Sequence, residues 1–206
     1  MTQFIDLVNK RRSTSNFLDN IPITKEELNE IFELVKLAPS AFNLQHTKYF
    51  VVINPEIKEK MRLAANGQYK VKSSSAVILV LGDKNAFNQA PEIYEGLKML
   101  GIVNQQEYNQ LVSDTISFYE SRGHEFHKED AIRNASLSAM LFMLAAKEKG
   151  WDTCPMIGFD PKAVKELLCI NDEHEVAMMI TIGKEKVESR KPRGYRKPVS
   201  EFVSYF

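Results

Sequence analysis

Two short polar segments near the start of the chain carry the side chains best suited to holding a ligand. Residues 11–13 read Arg-Arg-Ser, and residues 39–45 read Pro-Ser-Ala-Phe-Asn-Leu-Gln. Guanidinium groups bind phosphate oxygens in a bidentate manner, and neighbouring hydroxyls and amides add hydrogen bonds. These residue types predict a site for a phosphorylated, hydrogen-bonding ligand. Basic residues after a helix also stabilise the helix dipole without binding anything, so residues 11–13 alone fit either interpretation.

Predicted secondary structure places both segments at the ends of regular elements. Apolar residues recur at helical spacing over residues 4–8, which puts Arg11 at or just beyond a helix C-terminus. Thr24 and Glu27 have the spacing of a capping box, so a second helix should begin there and stop before Pro39. Residues 49–53 then form a continuous apolar run typical of a buried strand. The second polar segment therefore lies between a helix and a sheet, where ligands bind in many α/β proteins.

The rest of the chain alternates between helical and strand-like patterns. Helices are predicted at residues 55–65, 131–149 and 160–168, buried strands at 76–81 and 176–183, and weak helical character from 88 to 122 with Gly123 closing it. Residues 131–149 are apolar on nearly every side, which predicts a buried central helix or a subunit interface. Gly150 follows as its C-cap.

Composition excludes several functional classes. The chain has 206 residues and 44% hydrophobic content, enough for one domain with a large core. Basic and acidic residues number 27 each, so no overall field favours nucleic acid or an anionic membrane. The longest apolar run, residues 137–146, is half of the roughly 20 residues that a membrane span requires, and the N-terminus lacks the pattern of a secretory signal. With only two cysteines, we expect a soluble cytoplasmic protein without disulfides.

Five segments, in the same order, resemble the FMN-dependent nitroreductase family, and in particular its small bacterial NAD(P)H nitroreductases. They are residues 11–14 followed by Phe17, residues 38–45, Gln68-Tyr69-Lys70 before a buried strand, residues 154–159 (Cys-Pro-Met-Ile-Gly-Phe), and Gly183-Lys184 followed by Arg193 and Arg196. The five segments are spread over almost the whole chain, from residue 11 to residue 196, which makes the match specific.

The resemblance implies a fold, a cofactor and a reaction. The fold would be α+β, a nitroreductase-like α-β-α arrangement whose central, mostly antiparallel sheet is flanked by helices, in an interlocked homodimer. Residues 1–206 would form a single flavin-binding domain, with the tail from about 187 to 206 packing on the partner subunit. Hydride would pass from NAD(P)H to flavin N5 and then to a nitroaromatic, quinone or similar small-molecule acceptor by a ping-pong mechanism. The alternatives are a non-catalytic flavin-binding or storage protein and a relative with oxidative chemistry.

The same resemblance implies the site residues. The FMN-binding set is Arg11, Arg12, Ser13, Ser15, Pro39, Ser40, Asn43, Gln45, Gln68, Lys70, Pro155, Ile157, Gly158, Arg193 and Arg196. Phe118, Tyr119 and His46 are the candidates for substrate contact. Because the flavin carries the hydride, no catalytic side chain and no metal are expected.

This sequence departs from the family pattern at three of these positions. Ser15 stands where the family often has a basic residue, which removes one cationic contact. His46 and Thr47 replace a frequent proline and tryptophan, and Ile157 stands where some members have glutamate. We therefore expect the substrate pocket to differ from that of other family members more than the flavin site does.

Two other signals have competing interpretations. His124 and His127, three apart with Asp130 one turn later, have the spacing of metal ligands, but a solvated helix face also gathers such residues. Cys154 beside Pro155 could be a reactive thiol, yet no cation flanks it in sequence, so packing is the simpler interpretation.

Overall fold

A four-stranded antiparallel sheet forms the centre of the protein. The computed structural model describes residues 3–206. The strands are β1 (Thr47–Val52), β2 (Ala76–Asp83), β3 (Asp152–Met156) and β4 (His174–Gly183), in the spatial order β1-β2-β4-β3. In the central pair, Leu79 of β2 lies opposite Met179 of β4. The predicted antiparallel sheet is confirmed.

Helices cover both faces of this sheet. They are α1 (Gln3–Lys10), α2 (Lys25–Val35), α3 (Pro55–Ala64), α4 (Tyr69–Ser73), α5 (Ala90–Met99), α6 (Gln105–Glu148) and α7 (Pro161–Leu167). The predicted capping box opens α2, since the Thr24 hydroxyl accepts from the Glu27 amide and the Glu27 carboxylate accepts from the Thr24 amide. Asp160 caps α7 by accepting from two amides of its first turn.

Alternate residues of β2 face opposite halves of the core, because side chains alternate along a strand. Ile78 and Val80 pack with α2 and α6 on one face, whereas Val77 and Leu79 pack with α3 and α7 on the other. Every residue of β2 is buried. This two-sided burial explains the continuous apolar run in the sequence and confirms the α-β-α layering.

Helix α6 has two parts that meet at Gly123. The glycine has φ of 74° and ψ of 177°, a conformation outside the helical region. The C-terminal part of α6 packs across the sheet, as the apolar pattern of residues 131–149 predicts. Its N-terminal part packs with α5 around Leu44, Phe87 and Tyr119 in a separate aromatic cluster. Gly123 thus ends the weakly helical stretch as predicted, but the chain resumes helical geometry directly afterwards.

Two short elements were not predicted from the sequence. The resemblance to the family implies a loop from Pro155 to Gly158, but Pro155 lies in strand β3 and pairs in register with Ile180. Proline is tolerated there because β3 is an edge strand and one side of it needs no amide donors. Helix α4 has only five residues, too few to show a periodicity. Helix α2 ends at Val35, so Leu37, two residues before Pro39, lies beyond the helix end and is 72% exposed.

The final segment extends across the surface without regular structure apart from two short 3-10 turns, Val187–Ser189 and Val199–Glu201. Its large apolar side chains are exposed in this single chain, among them Tyr195, Phe202, Tyr205 and Phe206. Within residues 3–206, no helix combines the length and apolar character needed to cross a bilayer.

Gly82 of β2 allows a close approach between the sheet and helix α6. A Cβ atom at this position would lie 2.4 Å from the carbonyl oxygen of Ala131 in α6, so only glycine fits. We expect Gly82→Ala to lower the free energy of unfolding by about 1–3 kcal/mol, the usual cost of overpacking. Urea denaturation measures this change.

Gly96 provides the matched control. It lies inside α5, and a Cβ atom there would meet no other atom within 4 Å. Gly96→Ala should raise the free energy of unfolding by roughly 0.5–1 kcal/mol, since alanine is the better helix former. Equal effects of the two substitutions would contradict the proposed contact.

Candidate functional site

Residues 11–15 are fixed alongside strand β3. The Thr14 amide donates to the carbonyl of Thr153 at 3.0 Å, and Ser13 pairs with Thr153 in a parallel bridge. Thr14 is fully buried, whereas Ser13 and Ser15 are exposed on either side of it. The backbone pairing thus turns both hydroxyl-bearing residues toward the surface next to the arginines.

Arg193 and Arg196 lie close enough to Arg11 for their positive charges to act on it. The pKa of Arg11 is lowered by burial first and then by the positive charges of Arg193 and Arg196. Arg193 is fixed by donating to the carbonyls of Asn9 (2.6 Å) and Arg11 (3.2 Å). In residues 3–206, none of these three arginines forms an ion pair with a carboxylate. The cluster therefore lacks a counter-charge, which an anionic ligand would supply.

A surface cavity of about 270 Å³ lies beside this cluster. Its lining comprises Arg12, Ser13, Ser15, Asn16, Glu185, Ser189, Arg190, Lys191, Pro192, Arg193, Gly194 and Arg196. The only carboxylate among these lining residues, Glu185, already pairs with Arg190. Arg12 donates to the carbonyl of Lys191, which ties the C-terminal segment to the N-terminal one. The cavity is therefore strongly cationic, with hydroxyls at its wall.

Lys70 extends the cationic region from α4. Its Nζ lies 3.4 Å from Sγ of Cys154 on β3. The sequence has no cation beside Cys154, because Lys70 is remote in sequence and only the fold brings it there. Cys154 is buried and contacts the lysine that was predicted to face a ligand.

Gln68 and the loop after β3 also meet. The Gln68 side-chain amide donates to the carbonyl of Gly158 at 2.8 Å, and Asn66 makes a longer bond of 3.4 Å to the same oxygen. Ile157 projects outward and is 80% exposed. The structure thus brings together Gln68, Lys70, Pro155, Ile157 and Gly158 at one end of β3.

The second predicted segment is a tight loop of residues 40–45. Phe42, Asn43 and Gln45 all adopt left-handed backbone conformations, with φ of 53°, 56° and 51°. The Ser40 hydroxyl accepts from the Gln45 amide at 2.9 Å, so it shapes the loop. Asn43 and Gln45 are exposed, whereas Leu44 between them is fully buried. Pro39, Ser40 and Gln45 also line a second cavity of about 270 Å³ with Tyr49 and Ser138.

The three candidates for substrate contact lie next to this loop, in the aromatic cluster. Phe118 is half-buried and its ring centroid is 5.3 Å from that of Phe42. Tyr119 and His46 are buried, at 1% and 2% exposure. The Tyr119 hydroxyl donates to Asp130 at 2.6 Å and lies 3.3 Å from Nε2 of His46. In this single chain, Tyr119 and His46 contact protein atoms rather than open space.

The predicted site residues thus form two groups. One contains residues 11–15, Gln68, Lys70, residues 155–158, Arg193 and Arg196; the other contains residues 39–46 with Phe118 and Tyr119. Among the hydrogen bonds and ion pairs described for residues 3–206, none joins a member of one group to a member of the other.

Two of the three residues with metal-ligand spacing, His127 and Asp130, have other partners. Nε2 of His127 lies 2.8 Å from the carbonyl oxygen of Tyr119, and Asp130 pairs with Arg133 at 2.7 Å. No cluster of three or more potential metal ligands occurs in the described part of the chain.

A sequence profile of the family described as "Nitroreductase family" matches residues 8–184. The chain belongs to the nitroreductase family. The match includes the N-terminal arginines, the loop of residues 40–45 and strand β3, and it stops before Arg193 and Arg196.

Individual nitroreductase relatives agree with this membership. The chain is 71% identical over 205 residues to the Bacillus subtilis protein named "Putative NAD(P)H nitroreductase MhqN", with 100% of both chains covered. The crystal structure of ydfN from Bacillus subtilis superimposes with a TM-score of 0.97 at 70% identity and 99% coverage of each chain. A protein of Exiguobacterium sibiricum, solved in complex with FMN, has a TM-score of 0.91 at 30% identity, covering 100% of this chain and 98% of that one.

Buried His46 makes the stability of this nitroreductase depend on pH. Burial lowers its pKa more than Asp130 and Asp83 raise it, so the folded protein resists protonation below the ordinary value near 6.5. The unfolded chain binds that proton, and stability is lost as the pH falls through this region. We expect urea titrations from about pH 7.5 to about pH 5.5 to show a fall in the free energy of unfolding that is smaller in His46→Asn.

The variant isolates His46 because His174, whose pKa is also lowered, stays in both proteins. The difference in slope has an upper limit of about 1.4 kcal/mol per pH unit, corresponding to one proton. Parallel pH profiles would show that His46 titrates alike in the folded and unfolded states.

Proposed function

We propose that this chain is an FMN-dependent NAD(P)H oxidoreductase of the nitroreductase or quinone reductase type. The cluster of Arg11, Arg193 and Arg196 carries the proposal, because it concentrates positive charge at a surface cavity without a carboxylate to balance it. Family membership, the FMN complex of the Exiguobacterium relative and the name of the Bacillus relative support the same cofactor and reductant.

The residues around the cavity fit the phosphate of FMN. Arg11, Arg12, Arg193 and Arg196 would hold the dianion, with Ser13 and Ser15 adding hydroxyl donors. Charge-assisted hydrogen bonds of this kind are shorter and stronger than neutral ones. Because Ser13 is fixed by backbone pairing to Thr153 and Arg193 by two carbonyls, the donors are ordered before the anion arrives.

Gln68 and Lys70 would face the pyrimidine edge of the isoalloxazine ring. A cation there stabilises the negative charge that gathers on reduced flavin. Residues 155–158 lie next to them, through the contacts of Lys70 with Cys154 and of Gln68 with Gly158. The exposed side chain of Ile157 would add an apolar surface beside the ring.

Bound FMN would supply two-electron hydride chemistry, accepting from NAD(P)H and donating to a nitroaromatic, quinone or similar acceptor in alternating half-reactions of a ping-pong mechanism. The protein would bind and orient the flavin and polarise its ring. Phe118 is the residue best placed to contact an acceptor, since its ring is half-buried and packs against Phe42 of the loop. Tyr119 and His46, being buried, would support that wall from behind.

A homodimer would unite the two groups of site residues. In that arrangement Pro39, Ser40, Asn43 and Gln45 of one protomer reach the cofactor held by the arginines of the other. The tail from about residue 187 supports this proposal, because it carries exposed aromatic side chains that a second copy would cover. The proposed location is the cytoplasm, in keeping with the two free cysteines.

The cofactor is tested by the colour and chemistry of the purified protein. It should be yellow, release FMN rather than FAD on heating, and consume NAD(P)H steadily with menadione or a nitroaromatic. Arg11→Ala should weaken FMN binding by about 1.5–3 kcal/mol, the contribution of a hydrogen bond to a charged group. Fluorescence quenching of added FMN measures the affinity.

Lys149→Ala is the charge-matched control, since Lys149 pairs with Glu30 outside the cluster. It should leave FMN affinity unchanged. An equal loss of FMN affinity in both variants would show that only the net charge of the protein matters. Tight FMN without turnover would favour a storage protein, and product formation under oxygen without NAD(P)H would favour oxidative chemistry.

The dimer is tested through the tail. Phe202→Ser combined with Tyr205→Ser removes two side chains that are exposed in the single chain, so protomer folding should be unaffected. We expect size-exclusion chromatography with light scattering to show a dimer for the unmodified chain and more monomer for the double variant, with weaker FMN binding. A stable monomer that binds FMN and turns over would contradict the shared site.

A further inference from the structure

The backbone of the loop of residues 40–45 adopts conformations that are unusual for a segment without glycine. Phe42, Asn43 and Gln45 are all left-handed, and none of them is glycine. Such conformations are unfavourable for residues with side chains and persist only where surrounding contacts impose them. Their spacing also turns Asn43 and Gln45 outward while Leu44 enters the core. Whatever imposes this backbone therefore determines where the two exposed amides point.

Two buried side chains outside the loop bind its backbone directly. Oδ1 of Asn134, on α6, accepts from the Ala41 amide at 2.7 Å. The hydroxyl of Tyr94, on α5, donates to the carbonyl of Phe42 at 3.1 Å. Both residues are more than nine-tenths buried, at 3% and 7% exposure. They hold the loop at Ala41 and Phe42, its second and third residues, just before and at the start of the left-handed segment.

Each of these side chains is itself fixed. Nδ2 of Asn134 donates to the carbonyl of Asp130 at 2.8 Å, which orients its oxygen toward Ala41. The Tyr94 hydroxyl lies 3.1 Å from Oγ1 of Thr115 on α6, which sets the direction of its bond to Phe42. The loop thus depends on α5 and on both parts of α6.

We propose that Tyr94 and Asn134 are positioning residues for the cofactor site, holding the loop of residues 40–45 in its binding conformation before the cofactor arrives. This inference rests on the proposed function, because Asn43 and Gln45 are there assigned to FMN. Apparent affinity falls in proportion to the fraction of protein in the binding-competent state. Loss of either anchor would then weaken FMN binding without removing any group that touches FMN.

Tyr94→Phe is the principal variant, since it removes one hydroxyl and keeps the ring in the aromatic cluster. The loop amides of Asn43, Leu44 and Gln45 are bonded within the loop, so their hydrogen exchange in the FMN-free protein reports its order. We expect their exchange to speed up and the FMN dissociation constant to rise, each by about tenfold, as for the loss of one buried hydrogen bond. Asn134→Ala should act in the same direction, and Asn134→Asp, which keeps an acceptor for Ala41, should recover part of the affinity.

A matched control separates positioning from a general loss of stability. Tyr108→Phe removes a hydroxyl that also donates to a backbone carbonyl at 3.1 Å, that of Pro91, in the same aromatic cluster but away from the loop. This control should keep FMN affinity and loop exchange unchanged, even where it lowers the melting temperature.

The outcomes distinguish this inference from the proposed function. Absence of FMN binding by the unmodified chain would overturn both. FMN binding with unchanged loop exchange in Tyr94→Phe and Asn134→Ala would overturn the inference alone. Faster exchange with unchanged FMN affinity would also overturn it, because the loop would then have no part in the cofactor site. An effect of Tyr108→Phe as large as that of Tyr94→Phe would show that Tyr94 contributes only to overall stability and would overturn the inference.

Discussion

The concentration of positive charge at Arg11, Arg193 and Arg196 is the feature around which the candidate site is organised. Burial, and after it the positive charges of Arg193 and Arg196, lowers the pKa of Arg11. The fold maintains the arrangement through main-chain bonds: residues 13 and 14 pair with β3, and Arg193 binds carbonyls at the end of α1 and just beyond it. The sheet and its helices thus hold these positive charges together, and a bound anion would balance them.

The sheet makes this possible because its central strands are buried on both faces. Strand β2 packs against α2 and α6 on one side and against α3 and α7 on the other, so the strand order is fixed by two cores. This leaves β3 at an edge, where residues 11–15 can lie alongside it and where α4 can bring Lys70 to Cys154. The N-terminus, α4, β3 and the C-terminal segment, all far apart in sequence, meet at that edge.

Helix α6 links the sheet to the second group of site residues. Its C-terminal part packs on the sheet at Gly82, and its N-terminal part, beyond the break at Gly123, joins the aromatic cluster beside the loop of residues 40–45. Because Asn134 and Tyr119 both belong to this helix, the loop and the predicted substrate wall share one support. A change in packing along α6 would therefore affect both the loop of residues 40–45 and the predicted substrate wall.

The sequence by itself determined the class of fold and predicted the chemistry of a candidate site. Apolar periodicity located β1, β2 and β4 and the buried half of α6, and the capping-box spacing located the start of α2, since these signals are set by local geometry. The order of five polar segments indicated the family. Tertiary structure alone decided that Pro155 lies in a strand, that Lys70 meets Cys154, and that Tyr119 and His46 are buried. It alone showed that Tyr94 and Asn134 fix a left-handed loop, because these contacts join residues more than fifty positions apart, which no local pattern encodes.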